Sequence, residues 1–135
     1  MLERLTSGLN FQGEALVLRA ERQRLLAGNI ANADTPGFVA RDMDFAAALQ
    51  QATQARPGGA RVIATSAAGH MTNAVDGRLP PQLNYALAAQ TNLDRSTVDM
   101  DRERASFADN SVRYEATLRF INGSVKTMLG AITGQ

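Results

Sequence analysis

His70 is the only histidine of the 135-residue chain, and histidine is where metal ligation or acid–base chemistry would be sought first. Its neighbours Gly69, Met71, Thr72 and Asn73 bring no second imidazole and no paired carboxylates. A zinc site draws on three or four such ligands, so His70 has little metal or catalytic chemistry available to it. There is no cysteine, which excludes disulfides, thiolate metal sites and thiol nucleophiles. Gly58-Gly59 follows no strong strand and precedes no Lys-Ser or Lys-Thr, so it lacks what a phosphate loop needs. Arg19, Arg22 and Arg24 are interleaved with Glu14 and Glu21 and carry no stacking aromatic among them, which suits a solvated helix face or polar contacts between neighbouring subunits. With 14 basic against 13 acidic residues the net charge is +1, so no strong field draws nucleic acid or an anionic lipid surface. No catalytic set, cofactor site or metal site can be assembled, and the expected function is neither enzymatic nor nucleic-acid or lipid binding.

The most specific wording lies at Gly28-Asn29-Ile30-Ala31-Asn32-Ala33-Asp34-Thr35-Pro36-Gly37-Phe38, continuing to Arg41-Asp42-Met43-Asp44-Phe45. Pro36 lacks an N–H and disfavours the helical conformation at Thr35, so a helix passing Ile30 should stop near Ala33. Pro-Gly at the centre of Thr35-Pro36-Gly37-Phe38 predicts a type II turn, with Gly37 at positive φ. Asn32 and Asp34 can bond the backbone groups that the helix end sets free.

Two long elements flank this turn. On the N-terminal side, Leu2, Leu5, Leu9, Leu16, Leu26 and Ile30 fall at alternating steps of three and four, and Phe11, Ala15, Leu18 and Leu25 widen the stripe. Gly8 and Gly13 each cost a helix about 1 kcal/mol, which predicts fraying or a break in the first dozen residues. Residues 1 to 30 are punctuated by charge, so neither a cleaved secretory signal nor a membrane span is expected. On the C-terminal side the pattern is stronger. Met100, Phe107, Tyr114, Leu118, Ile121, Val125, Met128 and Ile132 keep the same spacing, behind Asp99, Asp101 and Glu103 at the favourable end of the dipole. Asp109–Arg113 and Glu115–Arg119 stand four apart in the stabilising order. A helix over 99–131 would extend about 50 Å at 1.5 Å per residue.

Between them, residues 46–55 predict a short helix ended by Arg56-Pro57-Gly58-Gly59, and Arg61–Thr65 is the one plausible strand. Turn formers recur through Asp76-Gly77 and Pro80-Pro81. The expected fold is mainly α: two long amphipathic terminal helices packed as an antiparallel, coiled-coil-like pair, with an irregular middle holding at most short strands. Residues 1–33 form the first helix, 34–98 the turn and middle segment, and 99–135 the second helix, together one domain. Two paired helices of this length leave much apolar surface uncovered, and such surface marks association.

The wording of 29–38 and its extension through Ala40-Arg41-Asp42-Met43-Asp44-Phe45 resembles the N-terminal signature of bacterial flagellar basal-body rod proteins, of the proximal-rod type. Asn92-Leu93-Asp94-Arg95-Ser96-Thr97-Val98-Asp99 resembles a second rod segment, with Arg95 and Ser96 standing where Gly-Asn is usual. The stretch from Phe107 to Ala116 and Phe120-Ile121-Asn122-Gly123 continue the likeness. The resemblance implies a structural subunit of the rod at the base of the flagellum, exported by the flagellar type III apparatus without a cleaved signal. Its implied partners are other copies of itself, other rod proteins, the basal-body adaptor and the export gate. The residues it marks in the signature turn are Asn29, Asn32, Asp34, Thr35, Pro36, Gly37, Phe38, Arg41, Asp42, Asp44 and Phe45. The assembly seam is expected along Leu9, Leu16, Leu26 and Ile30 with Met100, Phe107, Tyr114, Leu118, Ile121, Val125, Met128 and Ile132. The isolated monomer is expected to be partly unfolded, because these stripes lack partners. The alternative is a soluble helical-hairpin adaptor or export chaperone that binds a partner helix; it has no evident need of the Asp-Thr-Pro-Gly-Phe turn.

Overall fold

The computed structural model describes residues 2–54, 83–85 and 96–134. His70, the Arg61–Thr65 strand and Arg95 lie outside the described residues. Helix α1 spans Leu2–Ala31, β1 Arg41–Met43, α2 Phe45–Gln54, β2 Leu83–Tyr85 and α3 Met100–Thr133. The two long helices are those the apolar periodicity predicts, and α2 falls where the Ala- and Gln-rich run predicts it. The strands are the addition: β1 pairs antiparallel with β2, Asp42 opposite Asn84. Nothing in the three residues of β1 alternates strongly enough to announce a strand, and pairing partners some forty residues away define it.

α1 does not break at Gly8 or Gly13, contrary to the expectation from glycine's helix cost. A cost of about 1 kcal/mol each weakens a helix of this length without interrupting it.

α1 and α3 lie antiparallel, as their cross-links show: Asn29 reaches Glu103, Gln23 reaches Ser111, and Asn110 reaches the carbonyl of Arg19. A second side of α1 carries the small apolar core. Leu18, Met43 and Ala48 are buried there, with Leu25, Phe45, Leu49 and Ala52 packed around them. α2 and β1 thus cap one flank of the helical pair. α3 begins on an N-cap, Asp99, whose carboxylate accepts from the backbone N–H of Asp101 and Arg102. Its acidic first turn holds Asp101 and Glu103. The Asp109–Arg113 and Glu115–Arg119 pairs form on its exposed surface. No described helix is long and apolar enough to cross a membrane.

Candidate assembly surface: the signature turn and the helical pair

Pro36 and Gly37 close the turn as their chemistry requires. Gly37 sits at φ 73°, and the Phe38 N–H donates to the Thr35 carbonyl at 3.2 Å, the pattern of a type II turn. Asn32 closes the helix end, its side-chain amide donating to the Gly28 carbonyl at 2.8 Å. Its side-chain oxygen accepts from the Thr35 hydroxyl at 3.3 Å. Asp34, Thr35, Pro36 and Gly37 remain exposed at the tip.

Beyond the tip, the chain is clamped back onto α1 by one residue. Asn29 is only 2% exposed. Its oxygen accepts from the Arg41 N–H at 3.0 Å, and its amide donates to the Arg41 carbonyl at 2.7 Å. The same amide donates to Glu103 at 3.0 Å, so a single side chain ties α1, β1 and α3 together. Thr97 holds the other edge: its hydroxyl accepts from the Ala40 N–H, and its own N–H donates to the Phe38 carbonyl. Ser96, which stands where the rod pattern has Asn, is buried beside it.

The remaining signature residues serve the same fold. Arg22 donates through two nitrogens to the two oxygens of Asp42, at 3.0 and 2.9 Å. That hydrogen bond is the largest influence on the Arg22 guanidinium and holds its pKa above the ordinary value, against the opposing effect of burial. Asp44 caps α2 by accepting from the Ala47 N–H. Phe45 enters the apolar core, and the Arg19 guanidinium lies 4.3 Å from its ring centroid. Burial lowers the Arg19 pKa, with the Arg113 charge adding to it. Arg41 is fixed through its backbone while its side chain stands exposed.

The centre of the α1–α3 contact is polar. Asn110 is fully buried, and its amide donates to the Arg19 carbonyl at 2.9 Å and to the Gln23 side-chain oxygen at 2.6 Å. Gln23 in turn donates to the Ser111 hydroxyl at 2.7 Å. Thr117, one heptad after Asn110, is buried too and satisfies its hydroxyl on the Arg113 carbonyl. Counting apolar spacing misses this line, because Asn and Thr do not register in such a count. The signal that could have found it is the polar Glu103, Asn110, Thr117 series at heptad spacing.

The apolar seam residues therefore flank the intrachain contact rather than fill it. Leu26 alone among them is fully buried, at 1% exposure. Leu9, Leu16, Ile30, Met100, Phe107, Tyr114, Ile121 and Met128 are half-buried. Leu118, Val125 and Ile132 are exposed, as is Leu129 beside them. The exposed seam residues all lie in the C-terminal half of α3, where the described helical pair leaves the stripe uncovered. Among the described residues no group of His, Asp and Glu could hold a metal ion.

Comparison with known proteins bears on the family resemblance. A family described as flagella basal body rod protein matches residues 9–38, the second part of α1 and the turn. A flagellar basal body rod protein FlgB of Proteus mirabilis is 49% identical over 135 residues, covering 98% of both chains. Its Escherichia coli K12 counterpart is 45% identical over 134 residues, 98% of this chain and 97% of that one. The Salmonella typhimurium protein of the same name is 45% identical over 137 residues, 99% of each.

Proposed function

The chain belongs to the FlgB family of flagellar basal body rod proteins and is a structural subunit of that rod; from this premise we propose how it assembles. Each subunit contributes the α1–α3 pair to a tube of like pairs. The stripe of Leu118, Val125, Leu129 and Ile132 is buried only against neighbouring subunits. The observation that carries this is the polar core of the pair: Asn110, Gln23 and Thr117 occupy the intrachain contact, and the apolar surface is left outside it. Uncovered apolar surface on that scale is stabilised by association. Contacts between unlike faces of identical subunits do not close, and so build helical tubes.

The exposed tip, Asp34 to Gly37, and the exposed Arg41 side chain are the second proposed contact. Partners of the chain are other copies and other rod proteins, with the basal-body adaptor and export gate at the inner end of a proximal rod. Export without a cleaved signal through the type III apparatus follows from that position, as does a role with no catalysis, nucleic acid or direct lipid binding. In dilute solution the half-covered ends of α1 and α3 fray while the part clamped by Asn29, α2 and Thr97 stays ordered. A cooperative, highly helical melt of dilute monomer, followed by circular dichroism, would contradict this.

The deciding experiment is mass spectrometry of purified basal bodies, from wild-type cells and from a strain whose flagellar export gate is disabled. The chain is expected in detergent-resistant basal bodies of the exporting strain alone. Recovery as a soluble cytoplasmic protein from both strains would sink the reading and favour the hairpin adaptor.

A further inference from the structure

Two features on opposite flanks of the helical pair are complementary. One is a groove of about 390 Å³ lined by Ala20, Arg24 and Ala27 of α1 and by Phe107, Ser111 and Tyr114 of α3. Small α1 residues open it, two aromatic rings form one wall, and an exposed arginine sits among its lining residues. Such a groove suits an aromatic knob, since a guanidinium is attracted to a ring face. The chain already uses this pairing between Arg19 and Phe45.

The other feature is a pair of exposed aromatic residues. Phe11 (46% exposed) and Phe120 (67%) stand exposed. The cross-links Asn29–Glu103, Gln23–Ser111 and Arg19–Asn110 fix the antiparallel register, and following it toward the start of α1 brings Phe11 level with Phe120. Both lie on one flank. Phe11, Ala15, Leu18, Arg22 and Leu25 follow one another at helical spacing along the side of α1 that α2 and β1 cover. Phe120 is one heptad past Arg113, whose charge acts on Arg19 beneath Phe45. Going round α3 from the buried Asn110 and Thr117, the groove residues lie to one side and Phe120 to the other.

We propose that Phe120, backed by Phe11, of one copy seats in the Ala20–Ala27/Phe107–Tyr114 groove of the next copy in the rod. The proposal rests on the rod reading only in requiring a second copy beside the first. A knob and a groove on opposite flanks of one molecule make a head-to-tail contact that cannot close into a dimer. The knob also lies further along the pair than the groove, by about ten residues. Adjacent copies are therefore displaced along the helix axis by about 15–20 Å at 1.5 Å per residue. Buried aromatics backed by arginine are the residues that dominate such contacts.

The test replaces Phe120 with p-benzoylphenylalanine, which keeps an aromatic knob, in cells producing a mixture of ¹⁴N- and ¹⁵N-labelled chain. Basal bodies are purified, irradiated and digested. Mixed-isotope adducts from position 120 to peptides holding residues 20–27 or 107–114 are expected. Chain present in basal bodies with adducts elsewhere, or only within one copy, overturns the contact and leaves the rod reading intact. Chain absent from wild-type basal bodies overturns both. A second variant guards against a misplaced probe: Ala27→Trp fills the groove at an exposed position, and should cut incorporation at least tenfold with the helical circular dichroism of the purified chain unchanged. Incorporation at the wild-type level would overturn the proposal.

Discussion

Asn29→Ala isolates the clamp that holds the signature turn. In the native structure Asn29 makes three hydrogen bonds: it accepts from the Arg41 N–H, and donates to the Arg41 carbonyl and to the Glu103 carboxylate. Two neutral bonds contribute about 1 kcal/mol each, and the one to a charged group about 1.5–3. Water reaching Arg41, whose side chain is exposed, repays part of that loss. The net cost should be about 3 kcal/mol, carried by opening of the turn from α1 rather than by loss of helix. Amide hydrogen exchange measures this locally and needs no global transition. At 1.4 kcal/mol per factor of ten, protection should fall about 100-fold. The informative amides are Ala40 and Thr97, which belong to the same clamp through Thr97 but do not touch Asn29. Amides in the middle of α3 should change little. If Ala40 and Thr97 keep protection within about threefold of wild type, β1–β2 pairing and the α2 core place the turn on their own, and the role given to Asn29 is wrong.

Three further outcomes are expected. Leu118→Asp puts a carboxylate on the exposed stripe, so the purified chain should keep its helix content while a strain carrying it loses motility; normal swimming would count against the stripe as an assembly surface. Gly37→Ala adds a Cβ that meets nothing within 4 Å, so its cost is the backbone cost of φ 73° alone. That is about 1–2 kcal/mol, read as faster exchange of the Phe38 amide, and an unchanged rate would show that the turn relaxes freely. Asp99→Ala removes the cap that accepts from Asp101 and Arg102; about 1 kcal/mol of helix stability should be lost, visible as fraying of the first turn of α3 by NMR chemical shifts, whereas Asp99→Ser should restore most of it.

The sequence by itself determined the two long helices, the helix stop ahead of Pro36, the positive φ at Gly37 and the short α2. Each follows from interactions within a few residues: apolar spacing, a missing N–H, a missing Cβ. The resemblance in the signature named the residues of the turn as a group. It did not say why they are there, because their partners are far away in sequence. Asn29 finds Glu103, Arg22 finds Asp42, and Thr97 finds Ala40 only after the chain has folded back on itself.

The helical interface shows the same division. Periodicity counts apolar residues and marks a seam, but it cannot tell the side of the seam that one chain buries from the side it leaves out. Tertiary structure decided that, by turning Asn110 inward, where its amide finds partners on α1, and burying beside it Thr117, whose hydroxyl is satisfied within its own helix. The buried NH2 group of Asn110 needs such partners in register, and no local pattern in α3 could foretell that Arg19 and Gln23 of α1 would supply them. The outward placing of Leu118, Val125 and Ile132 follows from that choice. Local chemistry made the helices; long-range hydrogen bonding set which face of each is hidden.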